Sequence, residues 1–139
     1  LTCIELEKVA TVVTYKAPPS YGGYMETFPN LVNKNEIETS VELTRAYELT
    51  EKYSERIHVY PAGMELRNGE TYALKSRAVC VVGIGEDIQA AREISLEGVK
   101  AIKGGALWHR TDIASKQHIK RSQRHMEELR HKSEKSFHI

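Results

Sequence analysis

The stretch Met64-Glu65-Leu66-Arg67-Asn68-Gly69-Glu70-Thr71-Tyr72-Ala73-Leu74 limits the possible folds more than any other part of the chain. Asn-Gly tolerates the positive φ angles of a two-residue type I′ turn, so its flanks are predicted to pair as an antiparallel hairpin. Ala78 to Ile84 follows as a continuous apolar run bounded by glycine, the pattern of a central strand covered on both faces. Val9 to Tyr15 is rich in β-branched residues and is closed by Pro18-Pro19, and Arg56 to Tyr60 reads as a further short strand.

Helices are expected in three places. Between Ser40 and Tyr53, Val41, Leu43, Ala46, Tyr47, Leu49 and Tyr53 recur at mostly helical spacing, with Ser40 as the N-cap. Asp87 caps a second helix, in which Ile88, Ala91, Ser95, Gly98, Val99 and Ile102 share one face and which Gly104-Gly105 ends. A polar third helix runs from about Ser115 to Lys132 with an apolar stripe of only Ile119, Met126 and Leu129, followed by a fraying tail at Phe137-His138-Ile139. The segment from Ser20 to about Thr39 carries turn residues without sustained periodicity and reads as a surface excursion. The order of elements predicts an α+β fold with a mainly antiparallel sheet.

At 139 residues, with 40% hydrophobic and 28% charged side chains, the chain suits one soluble domain and excludes collagen-like, mucin-like and wholly disordered classes. Twenty Lys and Arg against 19 Asp and Glu leave a net charge of +1, so any pull toward nucleic acid or an anionic membrane must be local. No apolar run approaches the roughly 18 to 20 residues of a membrane span. Leu1 to Lys8 lack a basic segment leading into an apolar core, and the expected location is cytoplasmic. Cys3 and Cys80 lie in strand-like stretches without CxxC spacing and are expected to be buried free thiols. The start at Leu1, almost at once in a strand, suggests a piece of something longer.

Several motifs invite chemistry. Gly83-Ile84-Gly85 sits between strand and helix like a dinucleotide loop, but the third fingerprint position is Ile88, and Glu86 and Asp87 would repel a phosphate; a tight strand-to-helix turn is the better reading. His118, His125, His131 and His138 are six or seven residues apart, not the three or four that two ligands on one helix face need, so no metal is expected. They read as exposed polar positions. Between Lys116 and Lys135 seven basic residues face three acidic ones, but no aromatic residue is interleaved for base stacking. A solvated helix face, without nucleic acid, is expected there.

Arg110 and Asp112 precede that helix. The guanidinium can hold a phosphate or carboxylate through a fork of hydrogen bonds, and Asp112 can orient that fork or cap the helix. The residues alone leave ligand binding and plain capping evenly matched. No Ser-His-Asp or Cys-His set and no acid/base carboxylate pair can be assembled, so no catalytic residue is assigned.

Read together, Val59-Tyr60-Pro61-Ala62-Gly63-Met64, the Asn68-Gly69 hairpin, Ser76-Arg77-Ala78 through Glu86-Asp87, and His109-Arg110-Thr111-Asp112-Ile113 resemble, in order, the C-terminal domain of phosphoribosylamine-glycine ligases, ATP-grasp enzymes. Ala10-Thr11-Val12-Val13 followed by Gly22-Gly23-Tyr24 is similar to that domain's first strand and Gly-Tyr-Pro turn, and His125-Met126-Glu127-Glu128-Leu129 resembles archaeal members more than bacterial ones. The resemblance spans about residues 8 to 130. Departures are Ala114 where the family usually has Gly, Lys116 near an expected second Arg, no Pro after Tyr24, and a longer stretch from Met25 to Arg56.

The resemblance implies a small flattened β-barrel or sandwich with flanking helices, related to the C-terminal domains of biotin carboxylase-like proteins. It implies residues 1–139 as one C-terminal domain of a longer ligase, with 115–139 as its polar helix and tail. The family enzyme joins 5-phosphoribosylamine to glycine with ATP hydrolysis in purine biosynthesis. ATP and magnesium would be bound mainly by a preceding ATP-grasp region, which is the implied partner, and the isolated domain would be inactive. Arg110 first, then Arg77 in the strand before the Gly-x-Gly turn, would hold the ribosyl phosphate, with Asp112 beside them. An alternative of another class is a stand-alone binding module that uses the basic C-terminal helix.

Overall fold

A computed structural model describes residues 9–21 and 34–137. Cys3, the Gly22-Gly23-Tyr24 turn, most of the surface excursion and the end of the tail lie outside the described residues.

The expected α+β architecture is present. Strands β1 (Ala10–Lys16), β2 (Ile57–Pro61) and β5 (Val79–Gly85) form a three-stranded antiparallel sheet in the order β1-β5-β2. The apolar run is therefore central, with Tyr15 and Tyr60 flanking Cys80. Strands β3 (Met64–Arg67) and β4 (Glu70–Ala73) form the hairpin. Asn68 and Gly69 have φ of 51° and 79°, the two positive values a type I′ turn requires. Helices α1 (Thr44–Tyr53), α2 (Ile88–Lys100) and α3 (Lys116–Phe137) flank the sheets, an arrangement compatible with a small flattened sandwich.

α2 builds the core. Asp87 caps it, its side chain accepting from the Ala90 N–H at 2.7 Å, and the helix lies on the face of β5 that presents Val79, Val81, Gly83 and Gly85. Val99 and Ile102 join Ile57, Val79 and Val81 in the core, all essentially inaccessible to water. The one buried polar pair is satisfied among the described residues: Ser95 Oγ donates to the Val81 carbonyl at 2.9 Å and lies 2.8 Å from Thr14 Oγ1. On the outer side the Tyr53 hydroxyl donates to Glu97, tying α1 to α2.

Four details differ from the sequence reading. α1 starts at Thr44, not at a capping Ser40, and Leu43 precedes it without a side-chain cap. The reason is pairing: the Val41 N–H donates to Thr71 O at 2.7 Å and Glu42 bridges Lys103, so this stretch is extended. Val41 and Leu43 are buried around an exposed Glu42, which is the alternation of a strand. β5 is fully buried on one face only; Cys80, Val82 and Ile84 on the other are half-buried, so Cys80 is a free thiol but not a fully buried one. Ile88 is 45% exposed rather than part of the α2 core face, and α2 ends at Lys100 with Ala101 as C-cap. Gly104 and Gly105, with φ of 83° and 71°, instead turn the chain back past Val41 toward Trp108.

α3 is 22 residues long and carries Met126 and Leu129 at 52% and 46% exposure, so the expected weak anchoring is seen.

Candidate functional site

The site is built where the end of β1 meets the segment before α3. Ala17 and Trp108 exchange both backbone hydrogen bonds, at 3.0 and 2.9 Å, and the Trp108 indole N–H donates to Pro18 O at 3.1 Å. Trp108 is buried, so this junction is a fixed wall. On one side of it His109 is half-buried and its pKa is lowered to about 4 by burial, with the charges of Lys16 and Lys100 adding; it is neutral at pH 7. Lys16 donates to Ile102 O at 3.0 Å, and burial first, then the Lys103 charge, lowers its pKa to about 8 against the opposing pull of Glu36.

Next along the chain, the sequence-predicted pair meets as a fork. Arg110 Nε donates to Asp112 Oδ1 and Nη2 to Oδ2, both at 3.0 Å. Arg121 of α3 adds a third bond, Nη2 to Asp112 Oδ2 at 3.0 Å. The Arg110 hydrogen bonds foremost hold the Asp112 carboxyl below the usual carboxylate range, its partial burial opposing them and the Arg110 charge adding to them. Of the two roles open to the Asp112 side chain, the structure shows the orienting one. Ser115 caps α3 instead, its Oγ accepting from the His118 N–H at 3.2 Å.

A cavity of about 220 Å³ opens in front of this wall, lined by Tyr15, Tyr21, Arg77, Trp108, Arg110 and Ile113 among others. It brings Arg77 and Arg110 to one space, although Arg77 lies two residues before β5 and not within the strand as expected. The Arg77 guanidinium sits 4.8 Å from the Tyr15 ring centre and 5.6 Å from that of Tyr21, a cation–π arrangement that holds an exposed side chain in place. Asp112 does not line the cavity; it stands behind Arg110.

Four residues at or beside the site have a place that the sequence does not show. In the sequence Tyr15 and Tyr21 read only as strand and turn residues. Arg92 of α2 donates from Nε to Ile113 O at 2.9 Å and from Nη2 to Thr111 O at 2.7 Å, bonds to backbone that leave no signal in the sequence. His118 is not the exposed polar position expected: it is half-buried, and its Nδ1 accepts from the Ala114 N–H at 3.1 Å. Apart from His118 and half-buried Ile119, the long basic helix is exposed along its described face, as expected.

Ala114 itself has φ of 52°, a left-handed conformation that costs an L-residue about 1 kcal/mol. Ala114→Gly is therefore expected to stabilise the chain by about 1 kcal/mol, raising the melting temperature by about 3 °C in a thermal denaturation. An unchanged or lowered midpoint would contradict this.

Comparison with known proteins gives the family of the chain. Residues 26–116 match the family described as phosphoribosylglycinamide synthetase, C domain. The chain belongs to that family. The phosphoribosylamine-glycine ligase of Methanocaldococcus jannaschii is 35% identical over 127 residues, which are 91% of this chain and 25% of the relative. Those of Methanosarcina acetivorans and Methanosarcina barkeri are 30% and 29% identical over the same share of this chain, 24% and 25% of theirs. All three come from archaea, in line with the archaeal resemblance of the C-terminal helix. The chain thus spans about a quarter of the length of the curated relatives it matches. The family match contains Arg77, Arg92, Arg110 and Asp112 and stops at the first residue of α3; the β1 side of the cavity, with Tyr15 and Tyr21, precedes it, and most of α3 lies beyond it.

Proposed function

We propose that this chain is the C-terminal domain of a phosphoribosylamine-glycine ligase, acting in the cytoplasm in purine biosynthesis and partnered by an ATP-grasp region of the same polypeptide. The observation that carries the reading is the match of 91% of the chain, at 35% identity, to a ligase of that name. In the reaction, the γ-phosphoryl group of ATP passes to the glycine carboxylate and ADP leaves. The amine of 5-phosphoribosylamine then attacks the acyl carbon; the carbon–oxygen bond to phosphate breaks, phosphate departs, and the nitrogen gives up a proton to leave the amide of glycinamide ribonucleotide.

This chain's part is binding. Arg110 and Arg77 present two guanidinium groups to the ribosyl phosphate, and Tyr15, Tyr21 and Trp108 give the sugar an apolar bed. Asp112 keeps the Arg110 plane fixed, so less freedom is lost when the phosphate arrives. Among the described residues no group of three or more His, Cys, Asp or Glu could hold a metal ion, so no step through magnesium is assigned to them. ATP and magnesium are held mainly by the ATP-grasp region. Among the described residues no helix is long and apolar enough to cross a membrane.

The test is ADP release by the purified full-length protein. Sustained release of ADP, beyond one equivalent per site, should require both glycine and phosphoribosylamine, and the isolated chain should form none. Sustained ADP release that ignores either substrate would remove the ligase reading.

A further inference from the structure

We propose that Arg92 is a positioning residue for the sugar-phosphate site, acting through the Thr111–Ile113 backbone on Asp112 and thence on Arg110. This rests on the binding role given to Arg110 above. Arg92 lies on α2, the helix welded to the central strand, and does not line the cavity. Its two donors take the carbonyls one residue before and one residue after Asp112, at 2.7 and 2.9 Å. The carbonyl of Asp112 itself accepts from the Ser115 N–H at 3.0 Å. Three successive carbonyls are thus held, which sets the direction of the Asp112 side chain. That carboxylate in turn fixes the Arg110 guanidinium through two bonds in one plane.

The segment would otherwise have little to hold it. It is followed by Ala114 in a left-handed conformation and by a helix that, beyond half-buried His118 and Ile119 in its first turn, is exposed along the rest of its described face. Arg92 is the link that references the site to the rigid core rather than to α3. Arginine reaches the two carbonyls from two separate nitrogens of one rigid plane, whereas the three donors of lysine radiate from a single nitrogen on a flexible stem and do not reproduce that spacing.

The experiment compares Arg92→Gln and Arg92→Lys with Arg110→Ala in the full-length ligase. Both replacements at 92 are good helix formers, so α2 should persist. Arg92→Gln should raise KM for phosphoribosylamine roughly 10-fold, as small misplacements of a binding group do, with kcat and the KM values for ATP and glycine within about twofold. Arg92→Lys should give an intermediate rise, and it decides the matter if Arg92→Gln fails to fold. An unchanged KM for phosphoribosylamine in a folded variant overturns the inference, as does a fall in kcat alone or a joint rise of all three KM values, which mark a merely structural residue. A KM effect at Arg110 without one at Arg92 overturns the positioning role only. No effect at Arg110 overturns the site, and this inference with it.

Discussion

Arg110→Ala in the full-length ligase is expected to raise KM for phosphoribosylamine by roughly 30- to 100-fold while leaving KM for ATP unchanged. Hydrogen bonds to a charged group contribute about 1.5–3 kcal/mol each, and every 1.4 kcal/mol is a factor of ten, so the loss of one phosphate-holding guanidinium falls in that range. The phosphate is remote from the bond being made and is held equally in the ground and transition states. The loss should therefore appear in KM and not in kcat. Arg110→Lys keeps the charge but not the fork, and without two coplanar bonds to Asp112 the ammonium is not aimed; a rise of roughly 10-fold is expected. Titrating phosphoribosylamine at saturating ATP and glycine reads both variants, and an unchanged KM for Arg110→Ala would withdraw the residue from the site.

What could be read from the sequence, and what could not, divides by the range of the interaction. The Asn68-Gly69 turn, the Asp87 cap and the apolar run of β5 are local signals whose physical cause lies within a few residues, and each appears in the structure. The stretch from Ser40 to Leu43 carries helical spacing yet is not helical, because its conformation is decided by Thr71 and Lys103, far along the chain. The site shows the same division. Arg110 and Asp112 were legible because two residues apart suffices for a fork. That Arg77 shares the cavity with Arg110 depends on β1 and β5 pairing in one register, and the role of Arg92 depends on carbonyls, which every residue has. Ala114 is the intermediate case: its departure from the family's usual glycine was visible, and the structure supplies the positive φ that makes it matter.

Gly83→Ala is expected to destabilise the chain by about 3 kcal/mol, the upper part of the range for overpacking, and to lower the melting temperature by about 10 °C. A Cβ on Gly83 would collide with the Ala91 carbonyl oxygen and stand 2.5 Å from the Ser95 nitrogen and 3.0 Å from its Cα. These are backbone atoms of α2, so no rotamer change can make room and the whole helix must lift from β5. Lifting it would part Ser95 from Thr14 and Val81 and leave buried hydroxyl groups without partners. Trimming Ala91 to glycine should not rescue the variant, because the obstructing oxygen stays. Gly69→Ala offers the contrast: nothing lies within 4 Å of its added Cβ, so only the cost of a positive φ, about 1 kcal/mol, is expected there. The same measurement separates the two meanings of Gly83-Ile84-Gly85. A phosphate-cradling loop would lose ligand affinity on the substitution and keep its stability, whereas glycines that let helix and strand touch lose stability first, as a denaturation curve of the variant without any ligand will show.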